Sequence, residues 1–151
     1  MVIRYPRGKT HGNIAALPYA ETGKAVIRRE SRNEDAPVLW SCGAEVATAL
    51  EVAEKIDATV VDARYLKPFD AELARKFSRR RQFAIEDHCT SGGLGSALLE
   101  ALAETPHREV TVFGWAHDAV IPHGEIPLIR AAAGLTAEKI AEKIVNICKN
   151  E

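Results

Sequence analysis

The side chains that could do chemistry fall into a few short segments. Arg4 and Arg7 flank Tyr5-Pro6, and Arg64 follows the apolar run Ala58–Ala63, just ahead of Lys67-Pro68. A guanidinium is a planar fork that grips phosphate or carboxylate through paired hydrogen bonds, although any single arginine is more often a solvated surface charge. Glu86-Asp87-His88 has the residue types of a metal or acid–base site. Adjacent residues on an extended chain point in opposite directions, so the triplet reads better as an interface or supporting element. Ser91-Gly92-Gly93-Leu94-Gly95 invites a dinucleotide reading, but the third glycine of the fingerprint is replaced by Leu98. The strand that follows runs into Phe113-Gly114-Trp115 instead of reaching an acidic residue. Free N–H groups at the start of the helix favour an anion or a partner's backbone there. His117-Asp118 and His123 are expected at the same edge, and Arg79-Arg80-Arg81 reads as a solvated turn. Hydrolase elbows, zinc-protease motifs and Walker loops are absent. Cys42, Cys89 and Cys148 form no CxxC pair and read as free thiols.

These segments have to be positioned by regular elements. Val38–Cys42, Ala58–Ala63, Gln82–Glu86 and Val110–Phe113 are short continuous apolar runs, the pattern of strands covered on both faces. Between them lie helical stretches: 44–56, a short one capped by Asp70, and 96–104. In the first helix Val46, Ala49, Leu50, Ala53 and Ile56 share one face; Glu45, Thr48, Glu51, Glu54 and Lys55 take the other, where Glu51 and Lys55 form an i,i+4 pair. Helices over 126–133 and 137–149 close the chain, the last with Ile140, Ile144 and Ile147 facing inward. Residues 1–35 are looser, with β-like runs only at Val2–Tyr5 and Ala25–Arg28. The alternation predicts an α/β fold: three layers, a mostly parallel β-sheet with helices on both faces, doubly wound, with function at the carboxyl ends of the strands.

Composition narrows the field. The chain has 151 residues, 46% of them hydrophobic, enough for one domain with a substantial core. Twenty basic residues against 21 acidic ones leave a net charge of −1, which argues against nucleic acid or an anionic membrane as partner. There is no run of about 18 apolar residues and no signal segment, so the expectation is a cytoplasmic protein.

Taken in order, the motifs resemble a known family. Ile3-Arg4-Tyr5-Pro6-Arg7-Gly8, Gly23–Val26, Ala58–Asp70, Ile85-Glu86-Asp87 with Gly92–Ser96, Ile121–Gly124 and Arg130–Leu135 look like the C-terminal domain of 1-deoxy-D-xylulose-5-phosphate synthase, in the thiamine-diphosphate transketolase superfamily. The resemblance implies that residues 1–8 are the last strand of a preceding pyrimidine-binding domain, 9–35 a linker, and 36–151 the transketolase C-terminal-like domain. It implies that Arg4 and Arg64 bind the phosphate of glyceraldehyde 3-phosphate, and that Glu86, Asp87, Gly92, Gly93 and Gly95 belong to an interface. The family's magnesium-diphosphate motif, Gly-Asp-Gly…Asn, does not occur in this chain. Thiamine diphosphate and Mg are therefore expected only in the complete enzyme, and this chain alone is expected to bind no cofactor and to be inactive. Implied partners are thiamine-diphosphate-binding domains or a partner subunit, in a homo-oligomer such as a dimer. The alternatives are a non-catalytic interaction or regulatory module of the same fold, or the C-terminal part of a transketolase or 2-oxo-acid dehydrogenase β subunit.

Overall fold

A strand buried on both faces needs apolar side chains in both directions, and β2 (Val38–Ser41) has them: all four of its residues are buried. The computed structural model describes residues 21–149. In chain order the other elements are β1 (Val26–Arg29), α1 (Glu45–Ile56), β3 (Thr59–Asp62), α2 (Ala71–Lys76), β4 (Gln82–Cys89), α3 (Leu94–Leu102), β5 (Val110–Trp115), α4 (Ile126–Ala132) and α5 (Ala137–Lys149). The five strands form one sheet in the order β1-β3-β2-β4-β5. β2, β3, β4 and β5 run parallel, while β1 pairs antiparallel with β3 at the edge. The sheet thus takes its first strand from inside segment 9–35. The proposed strand at 1–8 lies outside the described residues.

Two cores sit on opposite faces of the sheet. On one, Ala49, Val52 and Ala53 of α1 and Ile140, Ala141 and Ile144 of α5 pack against Leu39, Val60, Phe83 and Ile85. On the other, Ala74 of α2 and Leu94, Leu98 and Ala101 of α3 pack against Val38, Trp40, Val61 and Ala84. This is the three-layer α/β architecture that the alternating pattern predicts. Trp40, fully buried, donates its indole N–H to Gln82 Oε1 at 2.7 Å, and Gln82 Nε2 donates to the Ala74 carbonyl at 3.2 Å. The indole of Trp40 and the amide of Gln82 are thereby paired, whereas the buried Ser41 hydroxyl at the end of β2 has no hydrogen-bond partner among the described residues.

Because α1 covers one face and α2 and α3 the other, the loops after the neighbouring strands β2 and β4 leave the sheet toward opposite faces. Adjacent strands whose connections diverge in this way open a crevice at their carboxyl ends. The segments after Ser41, Asp62, Cys89 and Trp115 all lie along that edge.

Several details differ from the sequence pattern. Glu45, expected on the solvent face of α1, is 5% exposed, and Lys55 pairs with Glu138 of α5 at 3.3 Å instead of with Glu51. Arg79–Arg81 is not simply a solvated turn: Arg81 is buried, and Arg80 donates to the Ala36 carbonyl at 2.7 Å and to Thr59 Oγ1 at 2.8 Å. β4 runs on to Cys89, and α3 starts at Leu94, two residues ahead of the expected start.

Candidate functional site at the carboxyl edge of the sheet

Arg64 stands two residues beyond the end of β3. Its backbone is left-handed, with φ of +55°, and its N–H donates to Asp62 Oδ1 at 3.1 Å. An acceptor two residues back is the Asx-turn arrangement, which explains how a residue bearing a Cβ is held there. The guanidinium is half-buried and makes no hydrogen bond or ion pair among the described residues. Asp62 is well enclosed, with its Oδ2 3.9 Å from Arg28 Nη1. Burial pushes its carboxyl above the ordinary value, against the pull of the Arg64 N–H and the charges of Arg64 and Arg28. Burial likewise raises the Cys42 thiol, with the nearby Asp62 charge adding to the effect. Arg4, the other arginine expected to bind phosphate, lies outside the described residues.

The Glu86-Asp87-His88 triplet splits as strand geometry requires. Glu86 is buried, and its carboxylate accepts the N–H groups of Leu94 at 2.8 Å and Gly95 at 3.1 Å. The sequence leads one to expect an anion or a partner's backbone at the start of α3; the anion there is the chain's own. Gly93 and Gly95 make the close approach possible. A Cβ on Gly93 would overlap Glu86 Oε2, and one on Gly95 would overlap the Val112 side chain. Gly92, with φ of +78°, has open space around it.

Asp87 points the other way. Its Oδ1 accepts from Trp115 Nε1 at 3.3 Å and Arg130 Nη1 at 3.2 Å. Arg130 also binds Glu45 Oε2 at 2.7 Å and the Leu135 carbonyl at 3.1 Å through Nη2. No residue of α4 is buried, so this one arginine ties the helix to α1, β4 and the turn before α5. The junction is not visible in the sequence, because its partners are up to 85 residues apart. His117, Asp118 and His123 are all exposed in the segment between β5 and α4. That segment and α4 line an apolar groove of about 400 Å³ that includes Trp115, Val120, Ile121 and Ile129. A larger open cleft, about 670 Å³, lies between β1 and α2, and neither cavity is lined by Arg64.

Among the described residues no group of three or more His, Cys, Asp or Glu is placed to hold a metal ion, and the chain carries no Gly-Asp-Gly. No described helix is long and apolar enough to cross a membrane.

The sheet order and the loops gathered at its carboxyl edge are those of a doubly wound α/β domain. Residues 23–140 match the family "Transketolase, C-terminal domain", and the chain belongs to it. It is 36% identical over 146 residues to the 1-deoxy-D-xylulose-5-phosphate synthase of Neisseria gonorrhoeae, a match covering 94% of this chain and 22% of that protein. It is also 36% identical over 151 residues to the synthase of Cupriavidus metallidurans, covering 94% of this chain and 23% of that protein. The chain thus spans less than a quarter of the length of these relatives. Among solved structures it superposes on a chain described as "Split gene transketolase, inactive beta4 tetramer" with a TM-score of 0.71 and 28% identity, covering 84% of this chain and 43% of the other. A transketolase of Pichia stipitis shares the fold at a TM-score of 0.58 and 15% identity, covering 82% of this chain and 18% of that one.

Proposed function

We propose that this chain serves as the C-terminal domain of a thiamine-diphosphate-dependent transferase of the 1-deoxy-D-xylulose-5-phosphate-synthase kind, which joins pyruvate to glyceraldehyde 3-phosphate with loss of carbon dioxide. The cofactor chemistry resides in other domains, on the same polypeptide or on a partner; this chain contributes assembly contacts and a handle for the acceptor's phosphate. Arg64 is the observation that carries the reading. It stands at the carboxyl edge, its backbone is held by Asp62, and its guanidinium has no hydrogen-bond or ion-pair partner among the described residues. Arg4 is proposed as the second phosphate ligand. The similarity to synthases over 94% of the chain supports this choice of acceptor, and the split-gene transketolase supports a division of such enzymes between chains. In the proposed interface, Asp87 and Gly92 are the exposed members, Asp87 while also held by Trp115 and Arg130, and Glu86, Gly93 and Gly95 are engaged within the chain.

Arg64→Ala, assayed with the thiamine-diphosphate-binding domains in place, is expected to lower kcat/KM for glyceraldehyde 3-phosphate by about 10–150-fold, the equivalent of one charge-assisted hydrogen bond. Turnover with unphosphorylated glyceraldehyde should be unaffected. An unchanged kcat/KM for the phosphorylated acceptor would falsify the reading.

A further inference from the structure

We propose that Asp62 is a positioning residue for Arg64, fixing the left-handed backbone from which the arginine meets the acceptor's phosphate; this rests on the reading of Arg64 given above. A φ of +55° is a conformation that side chains with a Cβ avoid, so something must hold it. Asp62 is itself rigidly placed. In the sheet register it lies between Val26 of β1 and Ser41 of β2. The next residue, Ala63, donates its N–H to the Ser41 carbonyl at 2.8 Å. The sheet therefore anchors the chain through residue 63, and Asp62 Oδ1 extends that anchor one residue further by accepting the Arg64 N–H at 3.1 Å. The second carboxylate oxygen is directed toward Arg28, 3.9 Å away, which restrains the carboxylate as a whole.

The Tyr65 N–H, donating to the Ala63 carbonyl at 2.5 Å, closes a γ-turn around Arg64. That positive-φ turn is the strained form, so without the acceptor at Oδ1 the backbone at residue 64 relaxes toward negative φ. That rotation swings the Cα–Cβ bond and moves the guanidinium away from its working position. The acceptor, and not the negative charge, is the element that acts on Arg64. Asparagine keeps an oxygen in the same place, whereas alanine keeps nothing.

The test uses the enzyme assembled with its thiamine-diphosphate-binding domains. KM and kcat are measured with glyceraldehyde 3-phosphate and with unphosphorylated glyceraldehyde for Asp62→Ala, Asp62→Asn and Arg64→Ala, and each variant's thermal melt is recorded. Asp62→Ala is expected to raise KM for the phosphorylated acceptor about tenfold, as for the loss of one hydrogen bond's worth of positioning. Its kcat and its use of glyceraldehyde should stay within about twofold of the parent, and Asp62→Asn should restore KM to near the parent value. If Arg64→Ala weakens use of the phosphorylated acceptor and Asp62→Ala does not, the positioning role is wrong while the phosphate reading stands. An effect of Asp62→Ala on both acceptors alike, or failure of Asp62→Asn to rescue, also overturns the proposal, by showing a structural or a charge role. If Arg64→Ala has no selective effect, the phosphate reading fails and the positioning role goes with it.

Discussion

Gly93→Ala adds one methyl group at the most crowded point of the carboxyl edge. The φ of residue 93 is −105°, so left-handed strain plays no part and the effect is steric. The methyl would overlap Glu86 Oε2 and lie 2.9 Å from its Cδ and 3.1 Å from His88 Nδ1. Glu86 cannot yield cheaply. Its side chain is buried, and its carboxylate holds the N–H groups of Leu94 and Gly95. Displacing it breaks two charge-assisted hydrogen bonds and leaves the first turn of α3 without acceptors. At about 1.5–3 kcal/mol per bond, with part recovered as the carboxylate rehydrates, the expected cost is about 2–4 kcal/mol. For a chain of this size that corresponds to a fall in melting temperature of roughly 4–16 °C. Urea unfolding followed by circular dichroism would measure it, and a double-mutant cycle isolates the cause. In a Glu86→Ala background the methyl enters vacated space, so Gly93→Ala should there cost less than about 1 kcal/mol. Equal costs in the two backgrounds, additive within about 0.5 kcal/mol, would refute the proposed conflict between residues 86 and 93.

Two further predictions concern charge. Arg130→Ala leaves Glu45, whose side chain is 7% exposed, without its 2.7 Å partner, and is expected to cost about 3 kcal/mol in denaturant unfolding. Adding Glu45→Gln should recover part of that loss, and a double variant no more stable than Arg130→Ala alone would count against the pairing. Asp62 and Asp57 should show opposite pH dependences. Burial holds the Asp62 carboxyl above its ordinary value of 3.8, so the protonated form is favoured in the fold. Its contribution to stability is fully present below the unfolded value and is lost as pH rises from there through the folded value. Asp57 is held below 3.8 by hydrogen bonds from Ser31 and Arg29, so its contribution is present above the unfolded value and lost as pH falls through the folded one. The stability of the parent minus that of Asp62→Asn, measured from pH 3 upward, should therefore fall as pH rises, whereas the difference for Asp57→Asn should rise. A common sign for the two slopes would contradict these environments.

What could be read in advance follows from the range of the interactions involved. The central strands are legible because a strand covered on both faces must be apolar throughout, and Val38–Leu39–Trp40 leaves no alternative face. Asp70 is legible as a cap because its partner, the Leu73 N–H at 3.1 Å, is three residues away. The same acid also accepts the Ala25 N–H at 3.0 Å, a contact spanning 45 residues that no local pattern announces. Arg80 illustrates the same limit: the Ala36 carbonyl, Thr59 Oγ1 and the Phe77 ring converge on it only after β2, β3 and α2 have assembled. Glu45 lies on the polar stripe of α1 and is drawn inward by an arginine 85 residues away. At the candidate site, Arg64 stands out because of its place after an apolar strand. Asp62, two residues earlier, carries the local signal of an Asx turn and could have been identified on that basis alone.

The two ends of the carboxyl edge differ in a way that bears on the proposed phosphate site. The start of α3 looks like an anion site in the sequence, with small residues ahead of free N–H groups. Glu86 fills it, so a phosphate arriving there would meet a buried negative charge already holding the donors. On the β3 side the arrangement is reversed. Asp62 spends one carboxylate oxygen on the Arg64 backbone and turns the other toward Arg28, and the Arg64 guanidinium keeps its five donors uncommitted among the described residues. Arg130, by contrast, is paired with Glu45 and Asp87. If the proposed function holds, an incoming phosphate would be met on the β3 side and not at the glycine turn, and it is there that substitutions should discriminate phosphorylated from unphosphorylated acceptors.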